Sequence, residues 1–274
     1  TRYIHSDKQE IKLYHKLKKI LKPLALTLIN LGFDIRILLS YKYLYKFKKD
    51  KKEWVKQGGK ITHDYMILSD YDDSAGIADG HYFHQDLLVA KLINKDKPKR
   101  HVDIASRVDG FVAHVASFRK IEVLDVRPLE QSVHENIKFQ QADLMDPQNF
   151  GQTDSLSCLH AIEHFGLGRY RDPININGHN TGITNLVKLV SDGGKLYISF
   201  PIGQKDEVHF NAHRVFNVNT IFKHPAIKKN MRLIRFDYVD DFGNLHLNIN
   251  VDDVKNETKF GCGIYTFEKS KFIK

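Results

Sequence analysis

The sequence predicts an α/β protein with a doubly wound, Rossmann-like sheet, an antiparallel closing hairpin and a basic helical extension at the N-terminus. From about residue 98 onward, apolar strand-like runs alternate with helix candidates, which is typical of a mostly parallel sheet. Two strand-like runs near the end, 232–241 and 261–269, are predicted to pair antiparallel. The first sixty residues are different, because they carry 16 Lys and Arg against 5 Asp and Glu.

Each predicted element is a short run with its own pattern. Apolar runs of strand length are separated by loops with Pro or Gly, and the helix candidates lie between them. The predicted strands are RHVDIAS (100–106), IEVLDV (121–126), IKFQQADL (137–144), DSLSCLH (154–160) and KLYISFPI (195–202). The predicted helices are DGFVAHVASF (109–118) and TGITNLVKLV (181–190), and a turn is predicted at SDGG (191–194).

Residues 1–65 are predicted to be a basic helical arm, and residues 66–274 are predicted to form a single catalytic domain. Apolar positions recur at helical spacing among the lysines. The apolar stretch at 24–39 is interrupted by Asp34 and Arg36, so it falls short of a membrane span. Two interpretations stay open for residues 1–60: peripheral binding to an anionic membrane face or to glycan-assembly proteins, and a helical layer that covers the domain or forms a dimer contact.

The composition indicates the cellular location of the protein and disfavours one class of partner. The two cysteines and the lack of a recognisable leader predict a reduced, cytoplasmic protein, with the arm as a candidate peripheral contact on the inner membrane face. Beyond residue 60 the chain has 26 basic and 28 acidic residues. Because a nucleic-acid enzyme would be expected to be positive around its site, nucleic acid is a disfavoured partner.

Three acids follow the first three predicted strands. In a doubly wound sheet the carboxyl ends of the strands meet at one edge, where ligands bind. Asp103 would end the first strand and Asp125 the second, where a carboxylate can accept hydrogen bonds from both hydroxyls of a ribose. Asp143 after the third strand can accept one from an adenine amino group, with Leu144 against the ring. The pattern indicates a site for an adenosine-containing cofactor.

This layout, over residues 100–268, resembles the class I S-adenosylmethionine-dependent methyltransferases. More narrowly, GHYFHQD, DIASRVDGFVAHVASF, LSCLHAIEHFGLGRYRDPI and FNAHRVF resemble the bacterial and nematode family called domain of unknown function 268. The resemblance implies S-adenosyl-L-methionine as cofactor, a methyltransferase activity and an association with surface-polysaccharide assembly.

The first loop departs from the methyltransferase pattern D-x-G-x-G-x-G. Ala105, Arg107 and Asp109 stand at the glycine positions, and only Gly110 follows. A side chain at Arg107 is expected to limit the approach of the backbone to the cofactor. A Rossmann-like domain that has lost its ligand is therefore the alternative. The candidate cofactor-binding residues are Asp103, Ala105, Ser106, Gly110, Asp125, Asp143, Leu144 and His160.

A histidine and glutamate cluster follows the fourth strand. His160, Glu163 and His164 would fit on one helical turn, and His209 and His213 repeat the four-residue spacing after the fifth strand. The cluster resembles the E-x-x-E-H metal element of small-RNA and ubiquinone-pathway O-methyltransferases. That resemblance implies a divalent metal on these five residues, and imidazole in place of a carboxylate favours Mn, Fe or Zn over Mg.

The same residues permit other roles. Without a metal, His164 or His213 could act as general base, with Glu163 beside it. The string H-x-x-E-H also matches an inverted zinc-peptidase signature, but Gly166 and Gly168 would break the long helix that such enzymes need. A single histidine that only bonds loop backbone is the alternative for each position.

Softer candidates lie on the acceptor side. Arg169 and Tyr170 are expected in a lid or acceptor loop that contacts sugar or phosphate, and Arg214 could pair with a diphosphate or carboxylate. His81 and His84 precede the first strand and could fold over the cofactor pocket.

The function predicted from these residues is S-adenosylmethionine-dependent O-methylation of a sugar hydroxyl, on a surface glycan, glycolipid or precursor. Two rival classes use the same features. One is a metal-dependent hydrolase or lyase built on the same histidines. The other is a scaffold without activity, whose basic arm recruits partners in glycan assembly.

Overall fold

A computed structural model describes residues 35–129, 134–146, 150–254 and 258–271, with side chains from residue 38 onward. The chain divides into two compact units, one ending at Ile77 and one spanning Ala78–Lys274. The domain boundary predicted between residues 65 and 66 stays a prediction.

The first unit contains short helical segments in its described part. Helices α1 (Ile35–Ser40) and α2 (Leu44–Lys56) are joined by a 3-10 turn, and another 3-10 turn covers Ser69–Asp72. The alternation of Lys with Leu, Tyr and Phe leaves α2 without a buried residue. The predicted apolar stretch at 24–39 lies mostly outside the described residues. Among the described helices, none is both long enough and apolar enough to cross a membrane.

The second unit alternates strands and helices, as the sequence pattern predicts. Before the fourth strand come α3 (Gly80–Asp96), β1 (His101–Ile104), α4 (Ala113–Ala116), β2 (Ile121–Asp125) and β3 (Ile137–Gln141). Then follow β4 (Thr153–Leu159), α5 (Gly178–Leu189), β5 (Val190–Gly203), β6 (Glu207–His209) and β7 (His213–Asn217). The described chain closes with α6 (Thr220–Lys223), α7 (Pro225–Asn230), β8 (Met231–Val239), β9 (Leu245–His246) and β10 (Gly261–Lys269).

The described strands form one sheet in the order β3-β2-β1-β4-β5-β10-β8-β9, and β7 also pairs with β5. Strands β1 to β5 are mutually parallel. Strand β10 is antiparallel to both β5 and β8, which confirms the closing hairpin. The doubly wound fold class is thereby confirmed, and its reversal of strand order between β1 and β4 is where such folds bind ligands.

Apolar side chains cover both faces of the sheet, because successive strand residues point to opposite sides. On one face Ile104 and Cys158 pack in a cluster with Leu186 of α5. On the other, Val123 packs in a cluster with Val89 of α3. Strand β4 is buried along most of its length, as expected of a central parallel strand.

Two elements differ from the predicted ones. The turn predicted at SDGG lies within β5, where the β4 pairing jumps from Val190 to Lys195 and Gly193 has a φ of +75°. The four residues form a bulge, because the pairing with β4 continues on both sides of them. The helix predicted from residue 109 begins with a wide turn, Val108–Val112, in which Gly110 has non-helical backbone angles.

Candidate functional site

A cavity of about 670 Å³ opens at the carboxyl ends of β1, β2, β3 and β4. Its size is within the range of small-molecule sites. The lining residues at the ends of β1, β2 and β3, here called the acidic wall, are Ala105, Asp125, Asp143 and Leu144. The histidines that follow β4, here called the histidine wall, are His160 and His164. The remaining predicted residues that line the cavity are Ser106, Gly110, Arg169 and Tyr170.

Asp103 holds the loop between β1 and α4 through hydrogen bonds and does not line the cavity. Its buried carboxylate accepts hydrogen bonds from the Ser106 backbone N–H at 3.0 Å and from the Ser106 hydroxyl at 2.9 Å. The Ser157 hydroxyl donates a third, at 2.5 Å. Burial raises the pKa of Asp103 to about 7. Asp103 therefore shapes the loop between β1 and α4.

The loop takes the glycine-type conformation without the glycine. Ala105 has a φ of +62°, in the left-handed region that favours glycine. The side chain of Arg107 is 72% exposed and pairs with Asp109 at 2.5 Å, and both residues are among those that line the cavity. The expectation that Arg107 limits the approach of the loop backbone to the cofactor stays a prediction.

Asp125 is buried at the end of β2 and is held by Arg127. The guanidinium Nη2 of Arg127 lies 2.5 Å from Oδ2 of Asp125, and its backbone N–H donates to Oδ1 at 2.8 Å. Nη2 also donates to the carbonyl of Ala105 at 3.0 Å. The side-chain hydrogen bond with Asp125 raises the pKa of Arg127. The pair fixes the carboxylate at the cavity edge and ties the first two strand ends together.

Asp143 and Leu144 follow β3 and complete the acidic wall. Oδ1 of Asp143 accepts the backbone N–H of Met145 at 2.8 Å, which forms a tight turn. Leu144 is 4% exposed, and its carbonyl accepts a bond from the Asn185 amide at 2.8 Å. The turn presents a carboxylate beside an apolar surface.

His160 begins the histidine wall in a strained conformation. Its φ is +46°, which costs a non-glycine residue about 1 kcal/mol or more. Its backbone N–H donates to the carbonyl of Ser199 at 3.0 Å. Nδ1 lies 2.8 Å from Oε1 of Glu163, while Nε2 is buried and has no hydrogen-bond partner. Burial alone lowers the pKa of His160, but the charges of Cys262 and Glu163 outweigh burial and raise it well above its ordinary value.

His164 is the second histidine of this wall, and its pKa is shifted in the opposite direction to that of His160. Nδ1 donates to the carbonyl of Ala212 at 2.7 Å, which leaves Nε2 as the nitrogen that can accept a proton. Nε2 lies 3.8 Å from Oε1 of Glu163. Burial lowers the pKa of His164. At neutral pH its ring is therefore uncharged and able to act as a base.

The later histidines lie near this wall but do not line the cavity. The rings of His209 and His213 are 5.1 Å apart, and His209 pairs with Glu207 at 2.9 Å. Nε2 of His213 is buried without a partner, and so is Oε2 of Glu163. The five predicted metal ligands do not form a converging group of three among the described residues. The prediction of a metal on them stays a prediction.

Arg214 is buried behind the cavity. It donates to the backbone carbonyls of Glu163 at 3.2 Å and Phe165 at 2.7 Å. Burial lowers its pKa. The structure therefore places Arg214 where it holds the backbone of the histidine wall, and its predicted contact with an acceptor stays untested.

The loop 166–172 covers one end of the cavity. Asp172 accepts the backbone N–H groups of Gly166 at 3.0 Å, Gly168 at 3.3 Å and Tyr170 at 3.1 Å. Arg127 lies over the Tyr170 ring, with its Cζ 4.9 Å from the centroid. One carboxylate thus organises the loop around three amides.

Arg169 anchors the loop to the chain beyond β6. Its Nη1 donates to the carbonyl of Ala212 at 2.8 Å, the carbonyl that His164 also contacts. Its Cζ lies 5.4 Å from the centroid of the Tyr170 ring. Of the predicted acceptor residues, Arg169 and Tyr170 therefore border the cavity.

Several cavity residues escaped the sequence analysis. The first turns of α3 contribute Tyr82, Gln85 and Asp86, which belong to the quoted motif GHYFHQD. Burial raises the pKa of Asp86. The sequence did not indicate that Arg127 and Asp172 belong to the site. The role of each depends on a contact with a loop whose conformation the sequence does not reveal.

His81 and Cys262 were also missed as a pair with His160. One ring nitrogen each of His81 and His160 and the sulfur of Cys262 all lie within 4.8 Å of one another. The sequence predicts His81 over the cofactor pocket and places Cys262 in the strand-like run 261–269, and neither position indicates the contact. His84, the second histidine of that motif, is half-buried on the same helix and does not line the cavity.

Comparison with known proteins identifies a family and a fold. The model of the family described as Caenorhabditis protein of unknown function, DUF268, matches residues 116–269, more than half of the chain. No curated protein matches the sequence.

Solved structures share the fold at low identity. The N-methyltransferase NodS from Bradyrhizobium japonicum WM9, in complex with S-adenosyl-L-homocysteine, is 13% identical over 73% of this chain and 93% of that chain, with a TM-score of 0.49. The Burkholderia thailandensis 1,6-didemethyltoxoflavin-N1-methyltransferase is 10% identical over 84% and 90%, with a TM-score of 0.49. The cyclase SpnF is 13% identical over 78% and 90%, with a TM-score of 0.50.

Proposed function

The chain is a member of the DUF268 family, and from this premise we propose that it is an S-adenosylmethionine-dependent O-methyltransferase. Its proposed acceptor is a sugar hydroxyl of a surface glycan, glycolipid or precursor. One observation carries the proposal: a single cavity at the switch point of the sheet has carboxylates on one wall and imidazoles on the other.

The acidic wall fits an adenosine-containing donor. Asp125 would accept hydrogen bonds from the ribose hydroxyls, and Asp143 would accept one from the adenine amino group beside Leu144. Arg127 already occupies one edge of Asp125, so the ribose would share that carboxylate with the guanidinium. S-Adenosylmethionine would supply an activated methyl group on a sulfonium sulfur.

His164 is the proposed general base. Its uncharged ring has Nε2 available because Nδ1 is held by the carbonyl of Ala212. It would take the proton of the acceptor hydroxyl, a contribution of about 100- to 10,000-fold in such enzymes. Glu163, 3.8 Å away, would stabilise the imidazolium that forms. His213, which does not line the cavity, would assist this proton transfer.

The acceptor would enter beside the loop 166–172. Tyr82 is 61% exposed at the cavity, and Tyr170 lines the same cavity. Aromatic faces with a polar hydroxyl suit the mixed apolar and polar surface of a sugar ring. Arg169 would contact a sugar oxygen or a phosphate on the acceptor.

Two further parts of the proposal concern metal and membrane. A divalent metal on His160, Glu163, His164, His209 and His213 would require these side chains to close in, and base catalysis by His164 needs no such movement. Residues 1–60 are proposed to bind an anionic membrane face or glycan-assembly proteins at the cytoplasmic side, because of their 16 Lys and Arg against 5 Asp and Glu.

Mass spectrometry of surface glycans tests the acceptor and the reaction together. A strain lacking the gene should lose a methyl group from one glycan component, and the full chain should restore it. The Asp125→Ala variant should fail to restore it, while Asp192→Ala, an exposed carboxylate away from the cavity, should succeed. Unchanged methylation in the deletion strain would contradict the proposed function.

A further inference from the structure

We propose that His81, His160 and Cys262 form a binding site for a single zinc-class divalent cation. The three residues come from the first turn of α3, the residue after β4 and the start of β10. Their ligand atoms all lie within 4.8 Å of one another. The ligand set differs from the five residues that the sequence predicted, and it does not depend on the methyl-transfer proposal.

The strongest support is the unpartnered nitrogen of His160. Its side chain is 5% exposed, and its buried Nε2 makes no hydrogen bond of normal geometry. The Cys262 side chain is close enough to interact with the ring. A buried polar atom without a partner costs about 1–3 kcal/mol, so such atoms usually have a ligand to meet. Here the neighbours within reach are the sulfur of Cys262 and a ring nitrogen of His81.

Glu163 gives His160 the arrangement of a metal-binding histidine. Ligating histidines usually donate their second ring N–H to a carboxylate, which fixes the tautomer and orients the ring. Nδ1 of His160 lies 2.8 Å from Oε1 of Glu163. The carboxylate therefore holds the proton on Nδ1, which leaves Nε2 as the ring nitrogen that faces the other two ligands and gives up its proton when a cation binds.

His81 supplies the second imidazole of the site. Its ring stacks on that of His160 with centroids 5.3 Å apart.

The donor set indicates the class of cation. Two imidazole nitrogens and a thiolate suit zinc or a similar ion better than magnesium or calcium. Tetrahedral zinc with normal bond lengths would place the ligand atoms about 3.5 Å apart, so the side chains need to close by roughly 1 Å. On binding, the proton that the Cys262 sulfur and Nε2 of His160 hold between them is released to solvent, and the thiolate and the neutral imidazole each bond to the metal. Three protein ligands leave a fourth position for water or a substrate oxygen.

Metal content of the purified full chain tests the site. After treatment with a chelator, zinc loading and gel filtration, we expect one zinc per chain. His81→Ala and Cys262→Ser should each lower the affinity for zinc at least about 100-fold, because the binding energy is shared among few ligands. Glu163→Gln should weaken it by about 10- to 100-fold without abolishing it.

Matched controls separate the site from general damage. His84→Ala lies on the same helix, and Cys158→Ser replaces the other fully buried cysteine, so both should keep the zinc. Cobalt in place of zinc should give a thiolate charge-transfer band that Cys262→Ser removes. Thermal melting shows whether each variant is folded, and His81→Ala, at a half-buried position, leaves the core intact.

Two results would overturn the site. They are far less than one zinc per chain at excess zinc, or zinc binding by His81→Ala and Cys262→Ser with the affinity of the wild type. The first would indicate a thiolate–imidazolium pair in place of a metal. Neither of these results affects donor binding at the acidic wall, so failure here is distinguishable from failure of the proposed function.

Discussion

The two walls of the cavity differ in which parts of the chain form them. The acidic wall lies at the ends of β1, β2 and β3, and its two carboxylates have partners close in sequence, Asp125 with Arg127 and Asp143 with Met145. The histidine wall instead depends on parts of the chain that are far apart, since His160 contacts α3 and lies beside β10. The acidic wall is thus a consequence of topology, whereas the histidine wall is a consequence of tertiary packing.

The walls also differ in how completely their polar atoms are paired. The carboxylate of Asp125 meets a guanidinium and a backbone amide. On the other side, Nε2 of His160 and Oε2 of Glu163 are buried without partners. The carboxylate of Asp125 is thus already paired within the protein. The two unpaired atoms at the histidine wall would gain a partner only when a ligand, a proton or a cation binds.

The largest expected effect separates chemistry from donor binding. His164→Gln should lower methyl transfer by about 100- to 10,000-fold, because glutamine cannot accept the proton. Its affinity for S-adenosylhomocysteine should stay within about threefold of the wild type. Transfer is measured with labelled donor and the glycan fraction of cells that lack the gene. Equal losses of rate and donor affinity would show that the two walls are not separate in function.

A smaller effect is expected on the acidic wall. Asp125→Ala and Asp143→Ala should each weaken binding of S-adenosylhomocysteine by about 10- to 100-fold, the loss of a charged hydrogen bond of roughly 1.5–3 kcal/mol. Asp192→Ala is the matched control. Calorimetric titrations of the purified variants measure both. If neither aspartate matters, the donor binds elsewhere.

The pH dependence tests the electrostatics of the histidine wall. Methyl transfer needs an uncharged His164, and burial lowers the pKa of that ring. Activity should therefore persist as pH falls below about 6.5, the ordinary histidine value, and decline only when His164 is protonated. A rate profile at saturating donor measures this limb, and NMR of the imidazoles checks its assignment. An acid limb above 6.5 would exclude His164 as the base.

The smallest effect concerns the first loop. Ala105 has a φ of +62°, so Ala105→Gly should relieve about 1 kcal/mol of strain, partly offset by the greater freedom of glycine in the unfolded chain. The net gain in the free energy of unfolding should be below about 1 kcal/mol. Ala113→Gly, at an exposed helical position, should instead lose about 1 kcal/mol. Urea denaturation compares the two.

Much of the fold could be predicted because its signal is local. Strand β10 and the alternation around β4 follow from apolar runs bounded by turns, and parallel pairing places Asp125 and Asp143 at one edge. The bulge within β5 was missed since Ser191–Gly194 has turn composition, and the pairing on both sides of it decides its structure.

The site could be predicted only in part. His160 and His164 were found from their position after a buried strand. The contact of His160 with His81 and Cys262 could not be found, because a helix has to pack on the sheet before these residues meet. The left-handed backbone of Ala105 was hidden as well, since alanine gives no sign of it. The part of the predicted helical arm that precedes residue 35 lies outside the described residues.

Calorimetric titration of the purified full chain with S-adenosylmethionine and S-adenosylhomocysteine tests the central claim most directly. The account predicts binding of both, with dissociation constants between low micromolar and sub-millimolar, about 4–8 kcal/mol of binding free energy. Absence of binding heat for both nucleosides, confirmed by equilibrium dialysis with labelled compound, would contradict the claim that this cavity holds a methyl donor.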